Sequence, residues 1–175
     1  MTKFLNPSSL IAQTGLEQGQ IVADLGCGSG FYSVPAAQMV GSSGAVFAVD
    51  VQESALAATV STANQFGLKN IKIVKADLEK PLMDIGENSC DLVILGNILH
   101  QIRAQEMLLK NVYKILKTGG KLLAIEWKQS AIPFGPKAES RIGKEKLESD
   151  FTKMGFKKSK EIDSDSYHYA MLFEK

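Results

Sequence analysis

Short apolar runs that stop on an acid recur through the first half of this chain. Residues 21–25, 45–49 and 71–76 are strand-length and mostly apolar; Asp24 falls at the close of the first, and Asp50 and Asp77 directly follow the second and third. Runs of this kind predict strands, and the apolar stretch 91–95 further on predicts a parallel strand covered on both faces. Between them, residues 33–40 predict a helix that confines Pro35 to its first turn, and residues 52–66 carry Leu56, Val60 and Ala63 at helical spacing before Gly67. Residues 78–89 are polar, contain Pro81 and Gly86, and predict a loop. Residues 91–95 and 121–126 predict a fourth and a fifth strand, the fourth ending at Gly96 and Asn97. A helix over 103–116, with Leu108, Val112 and Ile115 on one stripe, and a turn at 117–120 join the two.

The ends of the chain read differently. Asn6 and Pro7 predict a capped short helix that stops near Gly15, so residues 1–19 are expected to form a small lid. After Trp127, residues 128–142 contain Pro133, Phe134, Gly135 and Pro136 and predict an irregular connection longer than packing requires, expected to serve as an active-site loop. A helix over 144–154 presents Leu147, Phe151 and Met154 on one face. Strands at 156–162 and 167–173 are joined by an acidic turn at 163–166 so short that the pair must be antiparallel. No repeat or linker interrupts the pattern, which predicts a single α/β domain over 1–175.

Composition narrows the partners. With a net charge of +1 and 22% charged residues there is no basic field of the kind that nucleic-acid binding relies on, so no nucleic-acid partner is expected. Cys27 and Cys90 lack paired spacing and are read as reduced thiols, Cys27 as a small turn residue and Cys90 as core, which implies a cytoplasmic protein. No apolar run nears the roughly 18 residues of a membrane span, and no signal core precedes the first helix, so a soluble, unprocessed chain is expected. No metal-ligand set is expected either.

The acids fall at the carboxyl ends of successive predicted strands, the edge at which open parallel sheets bind ligands. Gly26, Gly28 and Gly30 remove side chains from the turn after the first strand. Asp50, 24 residues after Gly26, stands where an acid on the second strand meets ribose hydroxyls. Asp77, one strand further out, would accept from the exocyclic amine of an adenine. A dinucleotide fingerprint would need a glycine at position 31, which is Phe31. Asp24, two residues ahead of the first glycine, would repel a pyrophosphate and suit a cation. An adenosine with a cationic tail points to S-adenosylmethionine.

These residues, together with 91–97 and 116–126, resemble the successive motifs of the class I S-adenosylmethionine-dependent methyltransferases, and within them the small methyltransferase-11 and quinone-methyltransferase-like branch. The resemblance implies a Rossmann-like seven-stranded mixed sheet in the order 3-2-1-4-5-7-6, last strand antiparallel, with helices on both faces. It implies that Gly26, Gly28 and Gly30 lie against the methionine part, that Asp24 orients its amino group, and that Tyr32 is a wall. Asp50 would hold the ribose, Val51 and Leu78 would sandwich the adenine, Asp77 would take its amine, and the backbone near Asn97 would meet the amino or methyl end. It also implies in-line methyl transfer to a small molecule, leaving S-adenosylhomocysteine. Residues 97–100 lack the Asn/Asp-Pro-Pro-aromatic signature of enzymes that methylate base amines, and two cysteines are too few for an arsenite substrate. His100, Glu126 and Lys128 are the catalytic candidates, His100 as a base, against a capping or surface role. Lys157, Lys158 and Lys160 read as a solvated edge strand. Two other classes stand beside the enzyme: a non-catalytic sensor of S-adenosylmethionine or its product, and an NAD-dependent oxidoreductase, which Phe31 argues against.

Overall fold

The computed structural model describes residues 4–130 and 133–175; residues 1–3 of the expected lid and 131–132 of the expected active-site loop lie outside them. The three acid-terminated runs are strands β1 (Ile21–Leu25), β2 (Ala45–Asp50) and β3 (Ile71–Lys75), and β4 (Cys90–Gly96) and β5 (Leu116–Trp127) follow. The antiparallel tail is β6 (Lys157–Ile162) and β7 (His168–Glu174). They form one sheet in the order β3-β2-β1-β4-β5-β7-β6, in which β7 runs antiparallel to both its neighbours. Every residue of β7 except Glu174 is buried, the condition for a strand inserted between two others.

Alternate residues of each strand supply two cores. On one face Val93, Leu95, Leu122, Ala124, Met171 and Phe173 meet α4 (Gln105–Ile115) and α5 (Lys144–Lys153) through Leu108, Val112, Ile115, Leu147 and Phe151. On the other, Val22, Leu92, Ile94, Leu123 and Ile125 meet α1 (Pro7–Ala12) and α2 (Ser33–Val40). The remaining helix, α3 (Glu53–Gln65), packs on β2 and β3. Among the described residues no helix is long and apolar enough to cross a membrane.

Two elements differ from the sequence reading. The expected turn at 117–120 belongs to β5: Leu116 already pairs with Cys90, and the register resumes at Leu92 and Lys121 after an irregular stretch. Gly120 allows that crowding, because a side chain there would lie 2.8 Å from the Lys117 carbonyl oxygen. In α1, Leu10 and Ile11 are buried in the sheet-face core and Asn6 caps the first turn by accepting the Ser9 N–H at 3.0 Å. That burial seats the helix on the sheet.

Phe151 is the residue on which the α5 contact turns, with its ring 4.9 Å from that of Phe173 and 6.0 Å from that of Phe156. Phe151→Ala is expected to destabilise the fold by about 3–5 kcal/mol in urea unfolding; a loss under about 1 kcal/mol would show that α5 is not packed this way.

Candidate functional site

Connections reverse direction between β1 and β4, so the carboxyl ends of these strands open a crevice. A cleft of about 410 Å³ lies there, and Gly26, Gly28, Asp50, Val51, Asp77, Leu78 and Asn97 all line it. Seven positions from four separate stretches of sequence therefore meet around one space. Ala76, at the end of the third predicted strand, and Gln52, Ala55, Glu79, Ile98, Gln101 and Ile102 complete the wall, and no sequence signal had singled these out as site residues.

The floor is shaped by backbone. Gly26 has φ +81°, and a side chain there would lie 2.6 Å from Ile98 Cγ1. Gly28 faces open space, donates its N–H to Asp50 Oδ2 at 3.0 Å, and gives its carbonyl to the Thr59 hydroxyl at 2.9 Å. Asp50 Oδ1 accepts the Gln52 N–H at 2.9 Å. Asp77 is arranged similarly, accepting the Glu79 N–H at 3.0 Å and pairing with Lys80 at 3.2 Å, which lowers its pKa below the ordinary value. Asn97 holds a left-handed φ of +56° at the end of β4, fixed by its N–H on the Ile125 carbonyl at 2.8 Å. Val51 is exposed at the mouth and Leu78 is buried beneath it.

Gly30, Asp24 and Tyr32 do not line this cleft. A side chain at Gly30 would meet Thr59 Cγ2 at 3.1 Å, so the close passage of α3 accounts for that glycine. Asp24 lies behind the glycine turn, 1% exposed, with Oδ2 accepting the Ser33 hydroxyl at 2.5 Å and Oδ1 buried without a partner. Burial pushes its pKa up to about 7, against the opposing pull of the Ser33 hydrogen bonds. Tyr32 stacks over Gly96, where a side chain would come within 2.1 Å of its ring, and its buried hydroxyl has no partner. Burial, and after it the Asp24, Asp165 and Glu126 carboxylates, push that hydroxyl's pKa far up and keep it neutral. Burial also pushes the Cys27 thiol up to about 12, which removes it as a nucleophile.

On the opposite sheet face, the 3-10 turn Leu99–Gln101 presents His100 to Glu126. Nδ1 lies 2.9 Å from Oε2 and 3.3 Å from Oε1, the Glu126 side chain is fully buried, and the His100 side chain is 10% exposed. The carboxylate orients the ring and leaves Nε2 as the working nitrogen. Lys128 is not part of this pair. Its ammonium donates to the Asp165 and Ser166 carbonyls at 3.1 and 3.3 Å.

The connection after Trp127 is built around a residue the sequence reading passed over. Arg141, 6% exposed, donates from Nε to the Pro136 carbonyl and from Nη1 and Nη2 to those of Lys128, Ser130 and Phe134, at 2.8–3.2 Å. One guanidinium thus takes up carbonyls that an irregular segment would otherwise leave unpaired.

A family model described as Methyltransferase domain matches residues 16–171. The chain belongs to the class I S-adenosylmethionine-dependent methyltransferases. It is 30% identical over 120 residues to Ubiquinone/menaquinone biosynthesis C-methyltransferase UbiE of Escherichia fergusonii, covering 68% of this chain and 47% of that protein. It is 31% identical over 120 residues to Demethylmenaquinone methyltransferase of Staphylococcus aureus, covering 68% of this chain and 48% of that protein. The chain thus spans about half the length of the curated relatives it matches. A solved SAM-dependent methyltransferase from Aquifex aeolicus superposes with a TM-score of 0.89 at 25% identity, covering 97% of this chain and 89% of that one.

Unpaired polar atoms fit such a ligand. Asn97 Oδ1, on the cleft wall and without a partner, is an acceptor for the N–H groups of an ammonium, and the open space at Gly28 admits it to bare backbone; Asp24 Oδ1, also without a partner, lies behind the glycine turn outside the cleft. Asp24 also carries a testable signature. Its folded pKa of about 7 exceeds the ordinary 3.8, so the folded state holds the proton more tightly. Its contribution to stability is present at acid pH and is lost as pH rises from about 4 towards 7. Asp24→Asn is expected to gain on the wild type between pH 5 and pH 8 in urea unfolding without ligand, by at most roughly 3 kcal/mol. Parallel pH profiles would contradict the buried, unpaired carboxyl.

Proposed function

We propose that this chain transfers the methyl group of S-adenosylmethionine to a small-molecule acceptor, with His100 as the base that takes the acceptor's proton. The observation that carries the reading is the His100–Glu126 pair: neither residue lines the cleft, but His100 lies in the segment 97–102, whose Asn97, Ile98, Gln101 and Ile102 do. When bound, S-adenosylmethionine supplies a methyl group already activated on a sulfonium. What remains for the protein is alignment, which can supply roughly 7–11 kcal/mol, and proton removal.

In this reading Asp50 takes the ribose hydroxyls on the lone pairs that the Gly28 and Gln52 N–H groups leave free. Asp77 accepts from the adenine amine, and Val51 and Leu78 bracket the ring. Gly26 and Gly28 lie along the methionine part, Asn97 receives its ammonium, which Asp24 orients from behind the glycine turn, and Tyr32 backs the pocket. The names of the curated relatives support a ring acceptor of the quinone precursor class. A ring carbon keeps a proton that must leave after methylation, which is the work His100 is placed to do. Residues 4–19 are then a buttress of a single domain, and 128–130 with 133–142 border the acceptor side.

Isotope-labelled methyl transfer from S-adenosylmethionine into a metabolite extract tests the reading, with a labelled small molecule as the expected product. His100→Ala should slow that transfer by about 10²–10⁴-fold while leaving S-adenosylhomocysteine affinity in place. Binding without any transfer would favour the sensor class, and an unchanged rate in the variant would remove His100 as the base.

A further inference from the structure

Beyond the cofactor cleft, a second pocket of about 490 Å³ opens over the β6–β7 turn, bounded by Lys128, the amino end of α5 and the first residues of β7. His168 belongs to its wall, 5% exposed. Its Nδ1 lies 2.8 and 3.0 Å from the two oxygens of Asp165, whose carboxylate also accepts the backbone N–H groups of Tyr167 and His168 at 3.0 and 2.6 Å. The Trp127 ring packs on the imidazole with centroids 4.0 Å apart. Carboxylate, backbone and indole together hold the ring in one orientation. Its other nitrogen, Nε2, is buried and has no partner. Nothing in the fold or in the His100–Glu126 chemistry uses this second carboxylate-imidazole pair.

The tautomer follows from the geometry. A proton on Nδ1 is what the Asp165 carboxylate accepts, so the neutral ring offers Nε2 as a bare lone pair. A lone pair of this kind is satisfied by an O–H or an N–H and by nothing that only accepts. The surrounding charge points the same way, since four acids of the lining, Glu145, Glu161, Asp163 and Asp165, outnumber the two lysines, Lys128 and Lys144. Lys144 is already paired with Glu161 at 2.6 Å, and Lys128 is held by two backbone carbonyls.

We propose that this pocket seats a small ligand through a hydrogen-bond-donating head, a hydroxyl or an amine, with His168 Nε2 as the acceptor that positions it. Strand register sets His168 apart from the base: Trp127 pairs with His168 and Glu126 with Tyr169, adjacent rungs whose side chains point to opposite faces of the sheet. His168 is accordingly a positioning residue, and His100 remains the base.

Three probes with one aromatic body separate the possibilities: 4-ethylphenol carries a hydroxyl, phenethylamine an amine, and ethylbenzene neither. They are titrated into full-length protein with ¹⁵N-labelled histidine, and the imidazole nitrogens are followed by long-range ¹H–¹⁵N correlation. The expected result is an unprotonated His168 Nε2 that shifts with at least one donor probe and stays in place with ethylbenzene, the stronger of the two responses identifying the head group. The shift should be lost in Asp165→Asn and the saturable binding lost in His168→Phe. A protonated Nε2 in the free protein, or a nitrogen that neither donor probe moves, overturns the proposal on the wild type alone, whatever the variants do. Calorimetric titration of the same sample with S-adenosylhomocysteine reads the cofactor site separately. Failure there with a responsive His168 would sink the methyl-transfer reading and leave the pocket standing.

Discussion

The carboxylate of Asp50 joins three things that the site needs in one place. Oδ2 takes the Gly28 N–H and Oδ1 the Gln52 N–H, so the end of β2, the glycine turn after β1 and the entry to α3 are tied by one side chain. Thr59 of α3 closes the circuit by donating to the Gly28 carbonyl. The turn could wander, as a glycine-rich segment does when nothing restrains it. Its held backbone places N–H and C=O groups at the switch point of the sheet, and the cleft exists because that backbone stays bare.

The polar groups on the two sides of the sheet are left in different states. Asp24, Tyr32 and Asn97 have buried atoms without partners, whereas His100 and Glu126 satisfy each other at Nδ1 and leave Nε2. Unpaired buried groups are costly and are kept where a ligand completes them. A paired imidazole with one open nitrogen is suited to moving a proton.

Much of this was legible in the sequence because strand ends are written in it. An apolar run that stops on an acid marks both a strand and its carboxyl edge, so Asp50, Asp77 and the glycine turn were placed correctly without coordinates. Gly30 shows the limit: a glycine signals that a side chain is excluded, not what excludes it, and here Thr59 is the neighbour. The stretch 117–120 looked like a turn from its glycines, while its place in β5 depends on pairing with β4 that no side-chain pattern encodes. The partnership of His100 with Glu126 spans 26 residues and exists only once β4 and β5 lie side by side. Arg141 carried no motif, since its partners are carbonyls and every residue has one. Asp165 and His168 are three residues apart, a spacing too common to stand out until the turn folds.

Direct calorimetric titration with S-adenosylhomocysteine tests the central claim, that the acid ending β2 and the glycine turn together hold the nucleoside of a sulfonium cofactor. Saturable one-to-one binding to the wild type is predicted, weakened by at least tenfold in Asp50→Ala, with no competition from NAD. Binding of NAD in preference, or equal affinity for S-adenosylhomocysteine in Asp50→Ala, would contradict it.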